Sequence, residues 1–154
     1  MAEPKKDHSV QARFGFADED LKTEVHDQIV AWCYKYAQQI FTLVFCWDAL
    51  AKVKTPKWEC WLKNSRGFEV GAIDLAIRPE NSRCTLFVEA KGTIRTLGEL
   101  MRQINLYRGT DLSAWGETHW LVVSPDDRFS ETLEEQGVHF LKYDPKRTFP
   151  EVGK

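Results

Sequence analysis

Three charged side chains on two neighbouring apolar segments could together form a metal-dependent site, with two acids to bind the ion and an ammonium beside them. Glu89 and Lys91 lie near the end of the segment FVEAKG, and Asp74 lies inside the segment GAIDLAI. Side chains along a strand alternate between its faces, so Glu89 and Lys91 are predicted to point the same way. A buried charge is costly unless it is paired, so this pair requires partners from elsewhere in the chain.

Asp74 is the expected partner if the two segments form adjacent strands. The large apolar residues of its own segment, Ile73, Leu75 and Ile77, are predicted to share one face. Asp74 then lies on the other face between two alanines, which leave space for a ligand. Crowded carboxylates repel unless a cation lies between them, and oxygen ligands favour a hard ion such as magnesium. With Lys91 to orient a water, these parts suit the metal-assisted attack of water on a phosphodiester.

Hydrophobic periodicity predicts the elements that position these residues. A helix is expected from Asp18 to Phe41, and its continuation through residues 42–50 is left open. Three strands follow as an antiparallel meander within residues 58–91. The remaining elements are a helix ending at Gly109, a strand in THWLVVS, a short helix over 130–136 and a last strand in VHFLKYD. This order predicts an α/β fold, a mixed β-sheet flanked by helices.

The composition is that of a globular domain, with 154 residues of which 43% are apolar and 29% charged. Residues 1–17 are predicted to be a flexible tail, and residues 18–154 a single domain. The chain has no apolar run long enough to cross a bilayer and no secretory signal, so we expect a cytoplasmic protein without membrane contact. A net charge of −2 gives no global attraction to nucleic acid, so any such function needs a local site. The four cysteines lack zinc spacing and are predicted to be reduced core thiols.

The sequence resembles a nuclease superfamily at these same residues. GAIDLAI followed by FVEAK resembles the D…(D/E)-x-K motif of the PD-(D/E)XK superfamily, and the element order resembles its α-βββ-α-β core. Gln103 and Tyr107 in RQINLYRG resemble the Q-x-x-x-Y element of the RecB-like branch. The strings EVHDQIV, LGELMRQINLYR and VVSPDDRF are similar to small phage and bacterial members. The chain departs from the motif at Ile73, where the superfamily name has proline. The resemblance implies a restriction-endonuclease-like core.

The resemblance also implies how a metal would be held. Asp74 and Glu89 would bind one or two Mg²⁺ or Mn²⁺ ions, and the Ala90 carbonyl would add a ligand. Lys91 would position or activate the attacking water and stabilise the developing charge.

Three further site residues are implied by the same resemblance. An acid on the first helix would reach the metal through water, with Glu24 as the first choice and Asp27 as the reserve. Acids in the first turns of a helix are equally explained by the helix dipole. Gln103 and Tyr107, one helical turn apart, would contact the substrate backbone or Lys91. Gln103 could instead be a solvent-facing helix residue and Tyr107 a core residue.

The function implied is a Mg²⁺-dependent phosphodiesterase that cuts DNA, with a homodimer as one way to cut both strands of a duplex. A catalytically inactive nuclease-fold module that binds nucleic acid or a protein partner is the alternative, and a phage structural protein is a third possibility. Glu89 and Lys91 could also be an ordinary ion pair on a solvated strand face. Trp115 is interpreted as a packing residue rather than a base-stacking one. The other candidates are arginines that either contact phosphates or solvate the surface, Arg95, Arg102 and Arg108, and the structural histidines His26, His119 and His139.

Overall fold

The computed structural model describes residues 24–45 and 52–149. The helices are α1 (Glu24–Lys35), α2 (Ala37–Phe45), α3 (Leu97–Arg108) and α4 (Ser130–Glu135), with a short 3-10 turn at Ser113–Trp115. The strands are β1 (Lys57–Lys63), β2 (Glu69–Ile77), β3 (Cys84–Ala90), β4 (Glu117–Ser124) and β5 (His139–Lys142). The predicted tail, residues 1–17, lies outside the described residues. Within the described ranges no helix is both long and apolar enough to span a membrane, and the cytoplasmic location stays a prediction.

The five strands form one mixed sheet in the order β1-β2-β3-β4-β5. β1, β2 and β3 are antiparallel neighbours, whereas β4 runs parallel to β3 and β5 parallel to β4. The predicted α/β class, the antiparallel meander and the α-βββ-α-β order are therefore confirmed. Because β3 and β4 are parallel, the residues that follow each of them lie at the same edge of the sheet.

The first helical segment contains a turn that its periodicity does not predict. Tyr36 adopts a turn between α1 and α2. Helical hydrogen bonds continue across it, since the Tyr36 amide donates to the Trp32 carbonyl and the Ile40 amide donates to the Tyr36 carbonyl. The second helix continues to Phe45, and residues 46–51 lie outside the described ranges.

Helices cover both faces of the sheet. On one face α1 and α2 pack against a cluster that includes Ile29 and Leu86. On the other face α3 and α4 pack against a second cluster that includes Phe87 and Ile104. Every residue of β3 is buried, because alternate side chains of this strand enter the two clusters in turn. The charged residues at the end of β3 therefore lie in the interior and not on the solvent-exposed surface.

β2 loses its pairing on both sides at Asp74. The register of β1 with β2 skips Glu59, which adopts a φ of 43°. The pairs of β2 with β3 end at Leu75 and Val88, one step before Asp74. A non-glycine residue at positive φ is uncommon and redirects the strand locally. Asp74 therefore lies at a break in the backbone pairing of the sheet.

At this break in pairing, one predicted face assignment is wrong. Leu75 and Ile77 pack in the layer of α1, whereas Ile73 packs in the layer of α3. Strict alternation would keep all three on one face. The irregularity at Asp74 moves the first half of β2 across to the other layer, and Asp74 lies at the change.

The cysteines behave as the sequence predicts wherever they are described. Cys33, Cys60 and Cys84 are buried free thiols, and Cys46 lies outside the described residues. Burial raises the pKa of Cys60 to about 11 and also raises the pKa of Cys33 and of Cys84. These thiols therefore stay protonated near neutral pH and act as core packing groups.

Gly116 is expected to be the least replaceable glycine of the described chain. It has a φ of 74°, and an added Cβ would lie 2.5 Å from the Arg83 carbonyl oxygen. Gly116→Ala should lower the free energy of unfolding by about 2 kcal/mol or more, because both the backbone strain and the clash persist in the folded state. Urea denaturation measures this. Gly98→Ala is the control: its Cβ would meet nothing within 4 Å inside α3, so stability should hold or rise slightly. Equal stability of both variants would contradict the clash.

Candidate active site

Glu89 is buried at the end of β3 and contacts two side chains through the same oxygen. Its Oε2 accepts a hydrogen bond from Gln103 Nε2 at 2.8 Å and lies 3.6 Å from Lys91 Nζ. Glu89 is 1% exposed and Gln103 5% exposed. The structure thus brings Glu89, Lys91 and Gln103 together. Two interpretations are excluded: a solvated strand face for the Glu89–Lys91 pair and a solvent-facing position for Gln103.

Tyr107 links this group to β2. Its hydroxyl accepts a hydrogen bond from Gln103 Nε2 at 3.3 Å and donates one to the Ala72 carbonyl at 3.2 Å. Burial raises the pKa of Tyr107 well above its usual value, and the charges of Glu89 and Asp74 raise it further. Both carboxylates therefore lie within electrostatic reach of one phenol. The residue is fully buried, so it is part of the core as well as of this network.

Asp74 replaces a missing backbone partner in the sheet. Its Oδ2 accepts a hydrogen bond from the Ala90 amide at 2.7 Å. The next amide, that of Lys91, donates to the Val123 carbonyl on β4. The Ala90 amide consequently faces β2, where backbone pairing has already ended. A carboxylate at position 74 satisfies that amide, and this contact brings Asp74 to the residue directly after Glu89.

His26 is the α1 side chain that reaches Asp74. Its Nε2 lies 3.2 Å from Asp74 Oδ1, and its Nδ1 lies 3.3 Å from Asp27 Oδ1. His26 is buried, Asp27 is half-buried, and Glu24, the acid first chosen from the sequence, is exposed at the start of α1. The sequence contained a signal for this. His26 is in helical phase with the buried residues Ile29, Val30 and Cys33, whereas Glu24 lies off that stripe.

The loop that carries Lys91 into α3 is fixed from the end of β4. The Ile94 amide donates to Asp126 Oδ2 at 3.1 Å, and the Ile94 carbonyl accepts from Arg128 Nη2 at 2.7 Å. Arg128 also bonds to Asp126, and this contact holds the pKa of Asp126 down to about 2. The Thr96 side chain then caps α3 at the Glu99 amide. The connection between Lys91 and Gln103 is therefore held through both the amide and the carbonyl of Ile94.

The other candidates have structural contacts or stay on the surface. Trp115 packs against Phe87 at a ring distance of 5.1 Å, which confirms the packing interpretation. Arg108 donates to the Gln136 and Gly137 carbonyls and so joins α3 to the end of α4. The half-buried His119 and His139 contact Phe45 and nearby acids, and the exposed arginines are Arg95 and Arg102.

The donor set suits a hard cation that retains water ligands. In residues 24–45 and 52–149, no three Cys, His, Asp or Glu side chains gather into a complete metal site. Magnesium needs less than this in proteins, because it is commonly held by one or two carboxylates and keeps several waters. Asp74 and Glu89 are two such carboxylates, each 1% exposed, just beyond the last backbone pair of β2 and β3. The residues present therefore fit a magnesium or manganese ion better than a zinc ion, which usually takes three or four protein ligands rich in histidine and cysteine.

Comparisons with known proteins add no evidence about the site beyond its geometry. No protein-family model matches the chain, and no curated protein matches it. Among solved structures, the chain is similar to the small subunit of the heterodimeric restriction endonuclease R.BspD6I. The two are 14% identical with a TM-score of 0.34, over 86% of this chain and 71% of that one. A likeness this distant carries no argument about fold or activity. The fold assignment rests on the order and direction of the strands.

Proposed function

We propose that the protein is a metal-dependent nuclease that hydrolyses phosphodiester bonds of DNA with Mg²⁺ or Mn²⁺. The observation that supports this best is that Asp74, through the Ala90 amide, lies against the strand end that carries the Glu89–Lys91 pair. Two acids and one ammonium, all buried, are costly to fold even when they are paired, and a catalytic role would account for their presence. Membership of the PD-(D/E)XK superfamily is part of the same proposal.

In this proposal Asp74 and Glu89 hold the ion, with the Ala90 carbonyl beside them. When bound, the ion would polarise the scissile phosphate and lower the pKa of an attacking water. Lys91 orients that water and stabilises the negative charge that develops on the phosphate oxygens. Glu89 Oε2 already contacts both Lys91 and Gln103. In this proposal the carboxylate that holds the ion therefore also orients the Lys91 ammonium.

Two residues have positioning roles through their neighbours. Gln103 fixes the carboxylate of Glu89, and Tyr107 fixes Gln103 while it is anchored on the Ala72 carbonyl. On the α1 side the contact with the site comes from His26 and not from Glu24: His26 holds Asp74. Outer groups of this kind orient metal-binding carboxylates and tune their affinity.

The alternative is an inactive nuclease-fold module that binds nucleic acid or a protein partner. One observation favours it: each acid already has a structural contact, Asp74 with the Ala90 amide and Glu89 with Gln103. Such contacts would persist in a protein without catalysis. Fold alone does not decide between the two functions.

Nicking of supercoiled plasmid by the purified wild-type chain tests the proposal. We expect open-circle product with Mg²⁺ or Mn²⁺ and none with EDTA, because hydrolysis requires the ion. A single site cuts one strand, so linear product should appear later or require two copies of the chain. DNA binding without cutting in either metal would favour the inactive module. No cutting and no binding of DNA or RNA would overturn the nuclease and leave only the module that binds a protein partner.

A further inference from the structure

The turn between β1 and β2, residues 64–68 and here called the Phe68 turn, is held rigid by Asn64. The Asn64 side-chain oxygen accepts hydrogen bonds from the Arg66 and Phe68 amides at 3.0 and 3.1 Å. Its backbone amide donates to the Phe68 carbonyl, and its carbonyl accepts from the Gly67 amide. Gly67 supplies the φ of 84° that the turn requires. Four hydrogen bonds to one residue leave the turn little freedom.

The arm that carries this turn is also anchored to α3 and the residues after it. The Asp111 amide donates to the Lys63 carbonyl at 2.7 Å, at the end of β1. The Tyr107 hydroxyl donates to the Ala72 carbonyl, near the start of β2. The arm is therefore fixed relative to the helix that positions Gln103 against Glu89.

Phe68 is the most exposed large apolar side chain of the described residues. It is 67% exposed, whereas the next three, Val25, Leu43 and Leu106, are 42–43% exposed. Burial of a phenylalanine ring stabilises a fold, and Phe68 obtains little of this stabilisation because its ring stays in water. Two exposed cations, Lys63 and Arg66, belong to the same hairpin, and Glu69, which follows Phe68, pairs in register with Lys63. An aromatic side chain with adjacent cations is the combination that binds bases and phosphates of nucleic acid.

β2 leads from Phe68 directly to Asp74. The six residue steps from Phe68 to Asp74 span at most about 20 Å of extended strand. Bases of one nucleic acid strand are about 3.4 Å apart, so this reach corresponds to no more than about six nucleotides. A strand cut at Asp74 and Glu89 can therefore also reach Phe68.

We propose that Phe68 stacks on a base of the bound nucleic acid, within about six nucleotides of the phosphate at Asp74 and Glu89, while Arg66 contacts the backbone. This inference rests on the proposed function only in that the partner is nucleic acid. Stacking on an aromatic side chain does not depend on base identity, so the contact adds affinity without sequence preference.

Binding of labelled DNA to Phe68 variants in Ca²⁺ buffer, which permits binding without cutting, tests the inference. Phe68→Leu keeps an apolar side chain and removes the ring, so affinity should fall about tenfold. Phe68→Trp should keep it. Leu106→Ala is the matched control, an exposed apolar residue of α3, and should bind like the wild type. Arg66→Gln should reduce the slope of log affinity against log salt concentration by about 1.

A fluorescent 2-aminopurine placed at successive positions of the oligonucleotide locates the contact. Quenching should be strongest within about six nucleotides of the positions cut in Mg²⁺ and should be lost in Phe68→Leu. Single-stranded and duplex forms of the oligonucleotide are compared, and stronger quenching in one identifies the form whose base is stacked. Wild-type affinity in Phe68→Leu, or equal losses in Phe68→Leu and Phe68→Trp, would overturn the inference. If the wild type nicks plasmid and Phe68→Leu binds normally, the inference fails and the nuclease stands. If stacking is found and no nicking, the nuclease fails and the inference stands.

Discussion

Asp74→Asn and Glu89→Gln are each expected to reduce plasmid nicking by at least about 100-fold. Loss of either carboxylate removes a charge that holds the ion, and the ion's contribution to the transition state is several kcal/mol. Both amides keep an oxygen in place, so Asn at 74 can still accept from the Ala90 amide and Gln at 89 from Gln103. The fold should therefore survive while the chemistry is lost.

Three measurements separate that result from simple unfolding. Nicking rates are taken at saturating Mn²⁺, melting temperature is taken for each variant, and Mn²⁺ binding is followed by electron paramagnetic resonance. Glu131→Gln, an exposed acid on α4, is the control and should match the wild type in all three. Wild-type rates in both site variants would show that another part of the chain does the cutting. Normal Mn²⁺ binding in both would show that the ion lies elsewhere.

His26→Ala is expected to lower nicking by about 10–100-fold, whereas Glu24→Gln should leave it unchanged. The structure places His26 Nε2 3.2 Å from Asp74 Oδ1 and leaves Glu24 exposed. Removing a group that orients a metal-binding carboxylate typically costs affinity or activity by this factor. The loss should appear as a higher Mn²⁺ requirement, because His26 acts through Asp74.

His26→Gln provides the conservative control, since its amide can still donate to Asp74. It should recover part of the loss seen in His26→Ala, and all variants are compared at matched melting temperature. A larger effect from Glu24→Gln than from His26→Ala would restore the assignment made from the motif. Equal and full activity in both would show that α1 holds the fold and takes no part in the site.

Much of the fold and the centre of the site are predictable because they follow local periodicity. β3 is a continuous apolar run that ends in Glu89, and alternation alone places Lys91 on the same side. Gln103 and Tyr107 are four residues apart on a helix, so they share a face wherever that helix packs. Asp74 could be placed opposite Glu89 once the meander of short turns was recognised.

The remaining errors come from features that depend on tertiary contacts. Ile73 changes layers where the pairing of β1 with β2 is interrupted at Glu59, and a two-residue repeat gives no sign of such an interruption. The motif calls for an acid on the first helix and so favours Glu24, with Asp27 as the reserve, although helical phase places His26 on the buried stripe. Phase, and not chemical type, decides which side chain reaches the interior.

The contact between Asp74 and the Ala90 amide also affects how descendants of this sequence should be interpreted. An acceptor at position 74 closes a gap in the backbone of the sheet, so natural selection would retain Asp or Asn there for folding alone. A lineage that had lost hydrolysis would instead replace Glu89 and Lys91 together, because the loss of one alone leaves the buried charge of the other without its partner. Joint loss of this pair, more than loss of the aspartate, would therefore mark a retired enzyme.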